Sequence, residues 1–194
     1  MDNDILRNAI IGASASVPYV GGIISFFLDS ELPSYLKEQY NNFMSELEIG
    51  LSDINDRIKI ERLESPEVVT LCIKTIRYAV SEYNREKKMA YRNIILNALI
   101  EKDSFEMSDF YLHLINVLTK EQFTILNFMY YTDINNQTVV EKVSGLMKSY
   151  RDNKDFIVSI YSELVRLNLS SGNSIKSLGK RFCEFINSPM PIWN

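Results

Sequence analysis

From Tyr40 onward the apolar residues fall at intervals of three or four: Tyr40, Phe43, Leu47, Leu51, Ile54 and Ile58. Only an α-helix brings positions with that spacing onto one face. Glu38, Glu46, Glu48, Asp53, Asp56 and Lys59 fall on the other faces. The pattern predicts an amphipathic helix of roughly 28 residues, about 40 Å long at ~1.5 Å per residue. Gly50 weakens it locally. Seven Gly and five Pro in 194 residues are few for a sandwich or barrel, which needs a turn signal every ~8–12 residues. With 46% apolar and 24% charged residues the chain can bury a core. The fold class is therefore all-α.

Ser65-Pro66-Glu67 is a helix start, with Ser at the N-cap, Pro at the first helical position and an acid in the first turn. Its stripe is Val69, Cys72, Ile76, Ala79 and Tyr83, and it resumes at Ala90 or Tyr91 through Ile94 to Ala98. Between them, Asn84–Lys88 puts charge where the apolar face should pass. That reads as a solvated turn of one long helix, or as a contact surface (Arg85, Lys87, Lys88) for an acidic partner. Asp103–Ser108 reads as a connection, with Ser108 capping a short helix over Asp109–Leu118.

The segment Ala9–Leu28 carries no charge over 20 residues, close to the length of a membrane span. Pro18, Gly12, Gly21, Gly22 and three serines break the run and lower its hydrophobicity, and Asp2 and Asp4 argue against a signal peptide. It reads as a bent apolar hairpin buried beneath the long helices, or as a segment that on release inserts into a membrane (through Val17, Pro18, Gly21, Gly22, Phe26 and Phe27) or into a partner's groove, or as a constitutive transmembrane anchor. Its Pro18-Tyr19-Val20-Gly21-Gly22 bend resembles the apolar hairpins of helical pore-forming toxins.

After residue 118 the texture changes. Thr119-Lys120-Glu121-Gln122 and Thr138-Val139-Val140-Glu141 are capping boxes, and Phe156, Ile160, Leu164 and Leu167 stripe a further helix. A polar hairpin around Ser171-Gly172-Asn173 follows, then a closing helix from Ser177 with Leu178, Phe182, Phe185 and Ile186. This order resembles a winged-helix module, so the expected domains are a helical bundle with its apolar hairpin at 1–118 and a winged-helix-like module at 119–194. The whole architecture is long antiparallel helices packed on that module. The chain is also similar to a group of bacterial proteins with an apolar Pro-Gly-Gly N-terminus, two long helices and a Leu-Thr-initiated winged-helix-like end. The matching residues are Pro18–Gly22, Glu86-Lys87-Lys88 with Arg92-Asn93, Leu118-Thr119, and Leu178-Gly179 with Phe182. That resemblance implies architecture and a bacterial or phage setting, with no activity attached.

Charge argues against a nucleic-acid binder. Residues 1–118 hold 12 basic and 18 acidic side chains, and residues 119–194 hold 9 and 7, for a chain total of −4. A net +2 over the module is far below a usual phosphate-binding stripe. A recognition helix at Lys154–Leu169 would carry Lys154 and Arg166 against Asp155 and Glu163. Lys176, Lys180 and Arg181 would be the phosphate contacts.

No P-loop, dinucleotide fingerprint, nucleophile elbow or metal-ligand spacing of Cys and His occurs. The one histidine, His113, has no orienting carboxylate except Asp109 at i−4, and the two cysteines, Cys72 and Cys183, read as buried free thiols. No enzyme, cofactor or metal is expected. Three readings stay open: a non-enzymatic cytoplasmic interaction or regulatory protein with a protein partner, of the kind used in host–phage conflict; a membrane-active protein using residues 9–28, peripheral at the membrane; and a winged-helix DNA binder.

Overall fold

The computed structural model describes residues 33–63, 65–131, 154–171 and 174–190. The hairpin at 9–28, with Val17, Pro18, Gly21, Gly22, Phe26 and Phe27, and the capping box at Thr138 lie outside them. The described residues are mostly helical, with one two-stranded sheet. They cluster into two compact units: the residues up to Asn116 together with those from Phe185 on, and the residues from Val117 to Glu184.

In the first unit, α1 spans Ser34–Asp53 and buries Phe43, Leu47, Gly50 and Leu51. The stripe holds, but the helix is 20 residues long, shorter than its spacing predicts. Ser52, Asp53 and Asn55 compete for main-chain hydrogen bonds near its end, and a 3-10 turn at Asn55–Arg57 follows. Ile54, just past the end of the helix, is 1% exposed and stays in the core. A single turn of helix, α2, covers Ile60–Leu63.

Next come α3 at Pro66–Ser81 and α4 at Arg85–Leu99. Ser65 caps α3 as expected, its hydroxyl accepting from Val68 N at 3.5 Å. The predicted continuity across Asn84–Lys88 fails. Glu82 and Asn84 are extended, and Asn84 is the N-cap of a new helix, accepting from Lys87 N at 2.8 Å. Glu82 Oε1 accepts from the N–H groups of Tyr83 and Asn84, each at 2.9 Å, and so holds the break open. Tyr83 consequently leaves the stripe and is 81% exposed.

α1, α3 and α4 pack on one another, and α2 packs on α3 and α4. Every residue from Ala90 to Leu99 is buried, so α4 is the central helix, covered on all faces. α5 runs over Phe105–Val117, and its first turn is capped by Ser104, which accepts from Met107 N at 3.3 Å. Ser108, the expected cap, lies inside the helix and donates back to Ser104 O at 3.0 Å.

In the second unit, α6 spans Lys120–Tyr131. Its capping box is reciprocal: Thr119 N donates to Gln122 Oε1 at 2.9 Å and Gln122 N to Thr119 Oγ1 at 3.2 Å. α7 covers Lys154–Arg166. It ends in a Schellman turn, with Leu169 N bonded to Leu164 O and Asn168 N to Val165 O, each at 2.9 Å. Asn168 takes the left-handed conformation that this turn requires, at φ 61°. β1 (Ser170–Ser171) and β2 (Ser174–Ile175) pair antiparallel, and α8 (Ser177–Ile186) follows. α6 packs on α7 and β2, and β1 packs on α7.

Candidate functional site

The candidate partner contacts Arg85, Lys87 and Lys88 differ in exposure. Arg85 is exposed at the start of α4. Lys87 is buried, at 6% exposure, and its Nζ lies 3.0 Å from Glu82 Oε2. A buried, paired ammonium holds two helices at their junction, so Lys87 is corrected from partner contact to internal ion pair. Lys88 is half-buried and donates to Gln39 Oε1 on α1; burial lowers its pKa, opposed by the charge of Glu82. Glu82 titrates below its ordinary value: burial would raise it, but the Asn84 N–H, the Lys87 ammonium and the Tyr83 N–H outweigh that.

The polar groups that organise this unit lie one to three turns further along α4. Arg92 is 3% exposed, its Nη1 lying 3.5 Å from Glu46 Oε2 and its Nε 3.3 Å from Asn93 Oδ1. Asn93 and Asn97 have no exposed surface. Being four residues apart, they share a face. Asn93 Nδ2 donates to the main-chain oxygens of Ile186 and Met190, both at 2.6 Å. Asn97 Nδ2 donates to those of Phe185 at 2.7 Å and Ser188 at 2.6 Å. The Phe185 ring sits 4.8 Å from that of Tyr111, with Lys102 Nζ 5.9 Å from its centroid. A Cβ placed on Gly50 would lie 2.6 Å from Leu96 Cδ1 and 3.0 Å from Met190 Sδ, so α1 approaches α4 and Met190 closely there. Periodicity assigns both asparagines to solvent, and Asn93 enters the sequence reading only as part of the family resemblance. The available signal was an Asn-x-x-x-Asn spacing inside an otherwise apolar helix, Asn93-Ile94-Ile95-Leu96-Asn97.

In the second unit the five candidate cations are spread over α7, α8 and the segment between β2 and α8. Lys154 begins α7. Arg166 is exposed but forks onto Glu163 one turn back, its Nε 2.8 Å from Glu163 Oε2. Lys176 Nζ bonds Asn168 Oδ1 at 2.5 Å. Lys180 and Arg181 are exposed on α8. Lys176 and Lys180 line a shallow polar concavity of about 330 Å³ together with Asn168, Ser171 and Ser177. On α7, Val158 and Val165 lie two turns apart on one face, 45% and 39% exposed, with Ser162 beside them; Phe156, 39% exposed, lies on the opposite flank.

His113 is exposed, and among the described residues no group of three or more His, Cys, Asp and Glu could hold a metal ion. Cys72 and Cys183 are free and buried; burial pushes the Cys72 thiol up to about 12 and raises that of Cys183 as well. Both thiols are therefore poor nucleophiles in the folded chain. No described helix is long and apolar enough to cross a membrane. No protein-family model, curated protein or solved structure matches the chain.

Proposed function

We propose that this chain is a non-enzymatic interaction protein, regulatory in role, whose second unit is a winged-helix-like module turned to binding a protein partner. The bacterial or phage setting, a cytoplasmic location and a role in host–phage conflict belong to the same proposal, through the resemblance of the sequence to winged-helix-ended bacterial proteins. The observation that carries it is the outward face of α7. In a DNA-binding winged helix that position needs unpaired cations and amides aimed at base edges and phosphates. Here the described outward side chains include the exposed pair Val158 and Val165, and the charges Glu163 and Arg166 satisfy one another. Aliphatic surface with little net charge suits the core of a protein interface and gains nothing from a polyanion.

The test is a charge insertion on that face, Val158→Glu with Val165→Glu. Both positions are exposed, so the far-ultraviolet circular dichroism and melting of the chain should not change. Crosslinking in bacterial cells should capture a defined partner with the native chain and lose it with the double variant. An identical capture set for both chains would refute the surface. Salt-resistant, sequence-specific gel shifts of genomic fragments would replace it with the DNA reading.

A further inference from the structure

The contacts of Asn93 and Asn97 have the form of a peptide site. Two side chains on one face of α4 supply four hydrogen bonds, and all four go to main-chain oxygens, of Phe185, Ile186, Ser188 and Met190. Side-chain anchors flank them: Phe185 against Tyr111 beneath Lys102, and Met190 beside Gly50. Main-chain hydrogen bonds for affinity, with pockets for a few side chains, is how proteins take up peptide segments. Two further observations separate this arrangement from an ordinary core. Asn187, Ser188, Pro189 and Met190 each keep intermediate exposure, while Asn93 and Asn97 beneath them have none, so the cover is a single segment thick. And Asn97 Oδ1, wholly buried, has no hydrogen-bond partner.

We propose that the Asn93–Asn97 face of α4, with Gly50, Leu96 and Tyr111, is a peptide-binding groove that residues 185–190 occupy as a releasable strap. Its external ligand is a peptide segment of the same chemistry: an aromatic residue and, five positions on, a thioether or aliphatic residue, read through the intervening carbonyls. The groove belongs to the first unit and does not depend on the α7 surface.

The probe is a fluorescein-labelled peptide of residues 184–190 of this sequence. It is titrated by fluorescence anisotropy into the full-length native chain and into the full-length variant Phe185→Ala with Met190→Ala. The variant should bind it saturably, and the native chain at least tenfold more weakly, because a strap closed more than about 90% of the time lowers apparent affinity by that factor. A peptide with Ser in place of both anchors should not bind the variant. Equal binding to native and variant chains, or no binding to a variant that still melts cooperatively, overturns the proposal. Hydrogen exchange on the native chain decides it without any substitution. The strap requires the amides of Ile186 and Ser188 to exchange at least tenfold faster than those of Ile94–Leu99; equal protection would show that the segment opens only with the whole unit and would refute release.

Discussion

Gly179 and Asn168 show how much of the second unit is decided by single backbone positions. A Cβ on Gly179 would run into the carbonyl oxygen of Leu169 and lie 2.8 Å from Ile175 Cγ1. That carbonyl cannot retreat freely, because it already accepts from Lys176 N at 2.9 Å. Helix propensity favours Ala over Gly by about 1 kcal/mol, but a clash with main chain opposes it at a cost of roughly 1–3 kcal/mol. Gly179→Ala should therefore destabilise the chain, read as a lower urea midpoint. Asn168 needs the left-handed region, where a Cβ-bearing residue pays about 1–2 kcal/mol and glycine none. Asn168→Gly should leave the midpoint unchanged or raise it slightly, despite losing the Lys176 contact, whereas Asn168→Val should lower it by about that amount.

At the scale of elements, the informative place is the break between α3 and α4. Glu82 joins three jobs: it accepts from two main-chain N–H groups and pairs with buried Lys87. Removing it in Glu82→Ala should cost about 1.5–3 kcal/mol, the usual worth of hydrogen bonds to a charged group. Because its carboxyl titrates below the ordinary value when folded, the stability it contributes is complete above the unfolded pKa and is lost as pH falls through the lower, folded one. Glu82→Gln keeps an acceptor oxygen without the charge. Between about pH 6 and about pH 3.5 the native urea midpoint should therefore fall further than that of the Gln variant; parallel falls would show that the pair contributes nothing. The same place marks what was legible in the sequence. Spacing located α1 and the buried set Phe43, Leu47, Leu51 and Ile54, and local chemistry located the caps at Ser65 and Thr119. The break was missed although Asn84 followed by Glu86 is itself a helix-start signal, because the apolar stripe on either side stays in phase. The buried Arg92, Asn93 and Asn97 were missed for the opposite reason: periodicity assigns polar residues to solvent, and their partners are main-chain and side-chain groups that no local pattern displays.

For the whole molecule, the order of the chain and the order of packing differ. The second unit occupies Val117–Glu184, and the residues from Phe185 on return to the first. A hydrophobic pattern cannot reveal this, since Phe182 and Phe185 belong to one continuous helix and both are buried. Each unit carries its own reporter, Cys72 in the first and Cys183 in the second, both buried free thiols whose reaction needs local opening. Leu47, fully buried on α1, gives a defined perturbation of the first unit. Leu47→Ala should cost about 2–5 kcal/mol through the cavity it leaves. If the units open separately, alkylation of Cys72 should accelerate by roughly 30-fold for each 2 kcal/mol lost, while Cys183 keeps its native rate. Pulse labelling with N-ethylmaleimide and peptide mass spectrometry measures both in one sample. Equal acceleration of the two cysteines would mean that the chain opens as a single cooperative body, and that closing by residues 185–190 ties the second unit's stability to the first. Acceleration of Cys72 alone would mean that the first unit opens while the second stays closed.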